Sequence, residues 1–447
     1  MATTPSTSKI EKAVAAAHDA YAAARPNSAV QALSAATVLP AGSTRSVLDF
    51  DPFPFRVASA SGSMLCDVDG HHYVDMLGDY TAGLLGHNPQ AIADAVRLVL
   101  DRGWSLGAVA SDEHRLAELI TERFVSLEQV RFTNSGTEAN LMAVNLARHL
   151  TGRNGVMVFD GAYHGGLLYF GDTGQPLRAP FCYTMARFND LDSVQSALVS
   201  GGEDIACLLV EPMMGAGGCI PAKPGFLAGL RRLCDEHGVM LIFDEVMTSR
   251  MSTGGAQLKV GVTPDLTTLG KYLGGGMTFG AFGGSASNMA AFDPARGGSL
   301  THGGTFNNNA MTMTAGVAAI GEILTPEALD GLFERGEELR ARIAKALQPW
   351  SMTVTGWGSL MAIHCVEADI SCPDDLIGSD SMAAELLFHG LLERGYYMAR
   401  RGFVAMSLAL TESDVDGFVE SLVDVTNELG ANGLLTRCRE ELRKSWK

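Results

Sequence analysis

The sequence predicts an α/β protein with a large domain on a mostly parallel sheet and a smaller α+β domain. From residue 89 to about 324, helical patterns alternate with short apolar runs, which is typical of strand-helix-strand units. Runs of this kind are typical of parallel strands that helices cover on both faces. A hairpin pattern precedes this region, and charged helical patterns with one strand-like segment follow Pro326. Together, these three observations predict the fold class.

The N-terminal segment is expected to contain one alanine-rich helix and one hairpin. The helical pattern covers about residues 10–35, and the loop after it, 39–45, ends in Arg45. Two strand-like runs flank Asp69-Gly70 within residues 64–75, and Asp-Gly is the strongest short-range signal for a hairpin. We therefore expect this part of the chain to be antiparallel.

The remaining elements are predicted from apolar periodicity. Buried-strand patterns occur at 130–133, 155–159, 205–210 and 239–243. Near the C-terminus, a helix is predicted at 332–347, a strand at 359–364 and a final helix from about 413. The expected domains are an N-terminal segment of the small domain at 1–80, a large domain at 81–325 and the C-terminal small domain at 326–447.

Size, charge and cysteine content narrow the class of function. A chain of 447 residues can bury a large core. Its formal net charge of -17 repels nucleic acids and anionic membranes, so neither is an expected partner. There is no leader pattern, no apolar run of membrane-spanning length and no paired spacing among the eight cysteines. We expect a cytoplasmic enzyme that acts on small molecules.

Asp244 and Lys271 each follow a strand pattern and are expected at the carboxyl edge of the sheet, where such sheets bind ligands. A lysine for a covalent link and an acid for the pyridinium nitrogen are what pyridoxal 5'-phosphate requires. This cofactor is therefore the leading hypothesis. The alternative is that Lys271 is a solvated surface charge and Asp244 a helix cap. The apolar and glycine-rich setting of Lys271 favours the first interpretation.

Residues 134–138 form a candidate phosphate site. Ser135, Gly136 and Thr137 follow a strand pattern and open a helix, where N–H groups and hydroxyls bind anions. The alternative is a plain capping box, because Ser135 and Glu138 have that spacing. The polar stretch 302–309, which includes Thr305, could complete a phosphate cradle or form only a turn. No complete dinucleotide fingerprint or P-loop motif occurs.

Two further strand ends carry candidate residues. Tyr163 follows the run that ends at 159 and could stack on a flat cofactor, although an ordinary loop would look similar. Glu211 follows the run 205–210 and would add a second carboxylate to the crevice unless it turns to solvent. Each motif alone is ambiguous, so the hypothesis depends on their joint occurrence.

Taken together, the motifs resemble those of the class III aminotransferases, in the same order and over nearly the whole chain. The matching segments are Asn134 to Ala139, Tyr163-His164-Gly165, Glu211-Pro212, Phe243 to Val246, Gly270-Lys271 and Gly304-Thr305. The resemblance implies a fold-type I architecture with a seven-stranded sheet, pyridoxal phosphate as cofactor and a homodimer with shared active sites. The loop after Asp244 departs from the class pattern, because Ser249 replaces its usual glycine.

The resemblance also implies roles for the residues at the reacting end of the site. Lys271 would bind the cofactor covalently and transfer the substrate proton. Asp244 would keep the ring nitrogen protonated, so that the ring acts as an electron sink. Glu211 would position Asp244 or the ring oxygen.

The other implied roles concern holding the cofactor. Ser135, Gly136 and Thr137 would bind its phosphate, and Thr305 would join them from the partner subunit. The two faces of the ring would pack against Tyr163 and Met247.

A narrower resemblance is to the β-phenylalanine aminotransferases, a branch that acts on aromatic β-amino acids. It rests on residues 44–47, 244–250 and 401–404. Because Arg45 lies in an otherwise uncharged loop and Arg401 has the matching branch context, our hypothesis is that Arg45 binds the carboxylate of the β-amino acid and Arg401 that of the 2-oxo acid. The alternative is that either is a plain surface arginine. Because Arg400 adjoins Arg401, either could be the second arginine.

The expected activity is transfer of the amino group of a β-amino acid to a 2-oxo acid such as 2-oxoglutarate or pyruvate. The alternatives are an enzyme similar to glutamate-1-semialdehyde 2,1-aminomutase, an ω-amine transaminase, or a catalytically silent protein with this fold. The presence of Lys271 and Asp244 disfavours the silent protein. Transfer to an added 2-oxo acid would separate the first alternative from the expected activity.

Overall fold

The computed structural model describes residues 7–171 and 175–438. The α-helices in these ranges are α1 (Thr7–Ala24), α2 (Pro26–Ala36), α3 (Gln90–Arg102), α4 (Ser111–Arg123), α5 (Gly136–Thr151), α6 (Leu191–Gly201), α7 (Phe226–His237), α8 (Gly255–Val260), α9 (Ala286–Met289), α10 (Ala310–Ala318), α11 (Pro326–Leu347), α12 (Ser381–Glu393) and α13 (Glu412–Ala431). Among the described residues, no helix combines the length and the apolar character needed to cross a membrane.

The strands of the same ranges form four sheets. They are β1 (Val57–Ser61), β2 (Met64–Asp67), β3 (His72–Asp75), β4 (Gln129–Thr133), β5 (Gly155–Phe159), β6 (Cys182–Ala186), β7 (Ile205–Val210), β8 (Met213–Met214), β9 (Ile220–Pro221), β10 (Met240–Asp244), β11 (Leu266–Gly270), β12 (Gly280–Gly284), β13 (Thr353–Trp357), β14 (Leu360–His364), β15 (Tyr396–Tyr397) and β16 (Phe403–Ala405).

The large domain is organised around a seven-stranded sheet with the order β4-β12-β11-β10-β7-β5-β6. Within it, β12 runs antiparallel to β11 and β4, whereas the other neighbouring pairs are parallel. The four predicted strands of this region correspond to β4, β5, β7 and β10, with β10 shifted by one residue from the predicted 239–243. The prediction of a mostly parallel sheet of seven strands is therefore confirmed.

The central strands are buried on both faces of the sheet, and for this reason their sequences are continuous runs of apolar residues. Every residue of β5, β7 and β11 is buried. Helix α5 packs across β11, β12 and β7, and α7 packs against β10. Because β4, β5, β7, β10 and β11 are parallel, their carboxyl ends meet at one edge of the sheet, as open α/β sheets require for a ligand crevice.

Strand β12 was not predicted, because its sequence, Gly-Ala-Phe-Gly-Gly, is poor in β-forming residues. The glycines of β12 allow the backbone of neighbouring segments to approach this strand closely. A Cβ at Gly280 would collide with the carbonyl oxygen of Ser135, and one at Gly283 would collide with that of Gln129. This strand therefore depends on its neighbours rather than on its own propensity.

The smaller domain contains two sheets, ordered β1-β2-β3-β15 and β13-β14-β16. The antiparallel hairpin predicted around Asp69-Gly70 is formed by β2 and β3. Strand β15 pairs in parallel with β3, so the N-terminal and C-terminal segments share a sheet. The domain limits at 80 and 325 stay a prediction, and the ends of the two outer segments, 1–6 and 439–447, lie outside the described residues.

The single helix expected at 10–35 is instead two helices, α1 and α2. Arg25 leaves the helical conformation and Pro26 begins the second helix, since proline cannot continue a helix but suits its first turn. Polar contacts fix α1 to α12. Glu385 Oε1 lies 3.0 Å from His18 Nε2 and 3.2 Å from His389 Nε2, and Arg400 donates to Glu385 Oε2 at 3.4 Å.

Candidate active site

The carboxyl edge of the large sheet brings the predicted site residues into one crevice. Asp244 ends β10 and Lys271 directly follows β11. Ser135 follows β4, while Tyr163 and Glu211 lie in the segments after β5 and β7. The expectation that strand ends would carry these residues to the same edge is met by the topology.

Asp244 is 4% exposed, and its carboxylate is held from three sides. Its Oδ2 accepts a hydrogen bond from Asn140 Nδ2 at 2.8 Å and lies 2.8 Å from His164 Nδ1. Its Oδ1 accepts from the N–H of Val246 at 3.0 Å. Since a carboxylate oxygen can accept more than one hydrogen bond, Oδ1 keeps capacity for one further donor.

The residues that orient Asp244 were not assigned roles from the sequence. Asn140 lies on the buried face of α5, donates also to the carbonyl of His164 at 3.1 Å, and accepts from Thr268 Oγ1 at 2.6 Å. A buried asparagine between Ala139 and the alanines that follow it was the available signal, because amides are rarely buried without specific partners. Thr268 comes from β11, so the network joins helix, loop and two strands.

The amine of Lys271 is the second centre of the crevice. Its Nζ donates to Thr81 Oγ1 at 2.7 Å and to the carbonyl oxygen of Tyr80 at 3.0 Å. Burial lowers the pKa of Lys271 to about 8, although the carboxylates of Asp244 and Glu211 oppose this shift. Lys271 has a φ of 57°, which is strained for a residue with a side chain. Neither partner of the amine was predicted from the sequence.

Glu211 does not make the contact to Asp244 that was offered as one of its two roles. Its Oε1 accepts from the N–H of Tyr163 at 3.0 Å, and its Oε2 accepts from that of Gly215 at 2.9 Å. Burial raises the pKa of Glu211 to about 7; His164 opposes this rise and Asp244 adds to it. Asn140 and His164 orient Asp244, and the role of Glu211 toward Asp244 or a ring oxygen stays a prediction.

Ser135 caps helix α5, as the capping interpretation predicted. Its Oγ accepts from the N–H of Glu138 at 3.2 Å. The Glu138 carboxylate accepts from the N–H of Asn134 at 2.9 Å, not from that of Ser135. As an acceptor, the Ser135 hydroxyl can still donate its own hydrogen, so capping and anion binding are compatible.

Two glycines bring backbone close to the start of α5. A Cβ at Gly165 would collide with Thr137 Oγ1, and one at Gly136 would lie 2.8 Å from Val246 Cγ2. Ser135, Gly136 and Thr137 are half-buried, so an anion could reach their N–H groups and hydroxyls.

Tyr163 and Met247 flank the crevice. Tyr163 is 44% exposed and meets Tyr169 edge to face, with ring centroids 5.5 Å apart. Met247 is half-buried beside Gly215, where a Cβ would lie 2.5 Å from its sulfur. Packing of both side chains on the two faces of a ring stays a prediction.

Thr305 lies in an exposed loop between α9 and α10. Asn307 of this loop accepts from Asn134 Nδ2 at 2.8 Å, which ties the loop to the start of α5. Among the described residues, Thr305 itself makes no hydrogen bond. Its predicted contact to the phosphate of a partner subunit stays a prediction.

Arg45 and Arg401 both lie over the ring of Tyr80, with guanidinium carbons 5.9 Å and 5.6 Å from its centroid. Arg45 pairs with Asp79 at 2.5 Å, with both side chains about half exposed. Arg400 turns away to the carboxylates of residues 51 and 385. Within the described part of the chain, Arg401 has no carboxylate partner, so it rather than Arg400 is the second candidate for binding substrate.

The arrangement fits pyridoxal phosphate in three respects. Lys271 offers a buried amine whose pKa of about 8 leaves part of it neutral at physiological pH. Asp244 offers an oriented carboxylate with an acceptor site left over. At the start of α5, the first N–H groups have no partner within the helix. Glycines let the neighbouring backbone approach them closely.

Comparison with known proteins agrees with this geometry. The model of the family "Aminotransferase class-III" matches residues 48–425. A β-phenylalanine transaminase of Variovorax paradoxus is 47% identical over 428 residues, which cover 95% of this chain and 98% of that protein.

Solved structures show the same relationship. The crystal structure of a β-phenylalanine aminotransferase from Variovorax paradoxus has a TM-score of 0.94 at 47% identity and covers 96% of this chain and 100% of that one. A glutamate-1-semialdehyde aminomutase from Pseudomonas aeruginosa PAO1 has a TM-score of 0.86 at 26% identity, with 96% and 100% covered. Similarity in sequence and structure is thus greater to the first protein than to the second.

Proposed function

Since the chain belongs to the class-III aminotransferases, which are pyridoxal-phosphate-dependent enzymes of fold type I, we propose that it transfers the amino group of an aromatic β-amino acid to a 2-oxo acid. The 47% identity to a β-phenylalanine transaminase supports the donor class. Acceptors such as 2-oxoglutarate and pyruvate fit the second half of the cycle.

The observation that carries the proposal is the pair of arginines on Tyr80. A β-amino acid has its carboxylate one carbon further from the reacting nitrogen than an α-amino acid has. A single rigid guanidinium cannot serve both substrates equally well, and two guanidinium groups near one ring, Arg45 and Arg401, supply two anchors. Arginine suits this task because its planar fork binds carboxylates through two hydrogen bonds.

Proton transfer is assigned to Lys271. When bound, pyridoxal phosphate supplies an electron sink for the carbon–hydrogen bond that breaks. The neutral amine of Lys271 takes the proton, and the resulting ammonium is the acid that returns it. A pKa of about 8 is suited to both tasks, because near neutral pH the two protonation states are both populated.

The remaining residues would hold the cofactor and tune the electronic properties of its ring. Asp244 would keep a proton on the ring nitrogen, while Asn140 and His164 fix the direction of its carboxylate. The hydroxyls and N–H groups of Ser135 and Thr137 would bind the phosphate. Because these residues lie at the start of α5, the positive end of the helix dipole would stabilise a phosphate bound there.

We also propose a homodimer in the cytoplasm. Exposed apolar side chains at 98–109 and Phe306, which is 62% exposed beside Thr305, support burial against a second copy. All eight cysteines are free, which suits a reducing compartment. The domain limits of 80 and 325 are part of this proposal.

A donor panel tests the function. Purified enzyme is given β-phenylalanine, α-phenylalanine or 2-phenylethylamine together with 2-oxoglutarate or pyruvate, and the new amino acid is measured. We expect the β-amino acid to be the best donor, with Lys271→Ala as the inactive control. Preference for the amine without a carboxylate would favour the ω-amine alternative. Failure to use any added acceptor would favour the aminomutase alternative.

A further inference from the structure

A left-handed segment lies between the substrate arginines and Lys271. Gly78, Asp79, Tyr80 and Thr81 have φ angles of 52°, 45°, 50° and 82°. Glycine adopts this conformation freely, but the other three residues carry a Cβ that it crowds. Runs of such residues persist only where the surrounding structure imposes them, and they concentrate at functional sites.

Hydrogen bonds hold the segment along its length. The buried carboxylate of Asp75 accepts from the N–H of Gly78 at 2.9 Å, and the carbonyl of Gly78 accepts from the N–H of Gly83 at 2.8 Å. The hydroxyl of Tyr80 donates to the carbonyl of Val47 at 2.7 Å. The segment therefore cannot relax without losing contacts at its ends and in its middle.

The result of this conformation is that two consecutive residues present oxygen atoms to one nitrogen. The carbonyl of Tyr80 and the hydroxyl of Thr81 lie 3.0 Å and 2.7 Å from Lys271 Nζ. Thr81 has no exposed surface, and Lys271 is itself left-handed with a φ of 57°. The backbone is thus strained both at Tyr80 and Thr81 and at Lys271. The described residues offer the lysine side chain no other contact that accounts for this strain.

We propose that Thr81 is a positioning residue that holds the amine of Lys271 whenever this amine is not linked to the cofactor. The proposal rests on the proposed function, because the transfer cycle frees the lysine each time the amino group is taken from the donor. An ammonium has three donors. Two point to Tyr80 and Thr81, which leaves the third for proton return.

The hydroxyl has a chemical effect as well as a geometric one. A hydrogen bond from the charged amine to Thr81 favours the protonated form, whereas burial favours the neutral form. Thr81 therefore keeps the pKa of Lys271 from falling further. Removing its oxygen should make the amine neutral at lower pH and less well placed.

The test measures the pH dependence of carbamoylation of Lys271 by cyanate in the full-length, cofactor-free protein, with peptide mass spectrometry as readout. The reaction couples the neutral amine with isocyanic acid, the conjugate acid of cyanate. When the rate is divided by the concentration of isocyanic acid, the midpoint of its pH profile reports the acid dissociation of the amine and its plateau at high pH reports access. Thr81→Val keeps the β-branched shape but loses the acceptor, and Thr81→Ser keeps the hydroxyl. Lys259, whose amine lies 3.8 Å from the ring centroid of Phe333, is the internal reference.

We expect the acid dissociation constant of Lys271 to rise about tenfold in Thr81→Val, the effect of one lost hydrogen bond to a charged group, and to stay near wild type in Thr81→Ser. Lys259 should not change in either variant. An unchanged midpoint in Thr81→Val, or a serine variant that behaves like valine, overturns the proposal. If Thr81→Val does not fold, Thr81→Ala and Thr81→Ser form a second pair that differs by one hydroxyl. This experiment uses no substrate, so its failure is distinct from failure of the donor panel.

Discussion

Asp244 accepts hydrogen bonds from groups on α5, on the loop after β5 and on its own turn. The orientation of the Asp244 carboxylate is therefore set by neighbouring groups, whereas the negative charge belongs to Asp244 itself. A substitution that keeps the shape and removes the charge separates the two contributions.

We expect Asp244→Asn to bind pyridoxal phosphate but to remove the substrate proton far more slowly than the wild type, because a neutral amide cannot stabilise a protonated ring nitrogen. Single-turnover kinetics with β-phenylalanine measure the proton-transfer step, and cofactor absorbance measures binding. Asp160→Asn, at the exposed position directly after β5, is the matched control and should behave as wild type. A near-normal rate in Asp244→Asn would remove this residue from its proposed role.

The two arginines on Tyr80 are expected to divide the substrates between them. Arg45→Ala should depress the β-amino acid half-reaction more than the 2-oxo acid half-reaction, and Arg401→Ala should do the reverse. Each loss should be ~30- to 150-fold in specificity constant, or roughly 2–3 kcal/mol for one charge-assisted pair. Stopped-flow measurement of each half-reaction checks this.

Arg400→Ala is the control for the arginine pair, since that side chain faces residues 51 and 385. It should leave the ratio of the two half-reactions unchanged. If Arg45→Ala and Arg401→Ala slow both half-reactions to the same extent, the division of substrates is wrong.

Helices α1 and α12 are joined through a carboxylate rather than through apolar packing alone. Burial raises the pKa of Glu385, but hydrogen bonds with His389 and His18 and the charge of Arg400 outweigh it, so the net pKa lies below the ordinary 4.5. A group whose pKa is lowered by folding stabilises the protein above its unfolded-state pKa. That stabilisation is lost as the pH falls through the folded-state value.

We therefore expect Glu385→Gln to lower the free energy of unfolding by roughly 2 kcal/mol at pH 7, the effect of weakening hydrogen bonds to a buried charge. The difference from wild type should shrink as the pH falls below 4.5, the ordinary value for glutamate. Urea unfolding at several pH values measures both. Glu393→Gln, on the exposed side of the same helix, should have no effect at any pH. A pH-independent loss would show that packing, not charge, is responsible.

How far the sequence predicts these elements depends on where their stability comes from. Strands β5, β7 and β10 were predictable because burial on both faces makes them continuously apolar. Strand β12 was not, because close approach of its neighbours selects glycine there. The prediction of a single helix at 10–35 was wrong at one position, because Pro26 was not considered as a residue that interrupts the helix.

The residues of the candidate site also divide into those that could be predicted from the sequence and those that could not. Asp244, Lys271 and Glu211 could be found from strand ends, because topology alone brings such ends together. Asn140 carried only the signal of a polar residue in an apolar stretch of helix. Thr268 and Thr81 carried none, since their partners are distant in sequence and their roles arise from tertiary contacts. Glu211 accepts hydrogen bonds from the N–H groups of Tyr163 and Gly215, and its role toward Asp244 or the ring oxygen stays a prediction.

At the level of the whole molecule, the proposed homodimer has a direct test. Subunits carrying Lys271→Ala are mixed with subunits carrying Thr305→Ala under conditions of exchange. If Thr305 acts across the interface, each hybrid dimer regains one intact site, and activity and tight cofactor binding return. The reason is that the two lesions then fall in the same site and leave the other complete.

Mixing Lys271→Ala with Asp244→Asn is the control, because Asp244 and Lys271 belong to the same chain's crevice and no hybrid has an intact site. Recovery in the first mixture but not in the control is expected. A monomer in sedimentation experiments, or equal behaviour of both mixtures, would contradict the shared site.

The neighbouring arginines 400 and 401 face different parts of the protein, and this has a consequence for engineering. Arg400 is anchored to α12 and, through Glu385, to α1, whereas Arg401 lies over the ring of Tyr80. Adjacent side chains of one short segment thus belong to two different parts of the protein, the contact between two helices and the proposed substrate site. Substitutions in the α1–α12 contact should therefore change the stability of the fold without changing the ratio of the two half-reactions, so stability and acceptor range could be engineered separately at two adjacent positions.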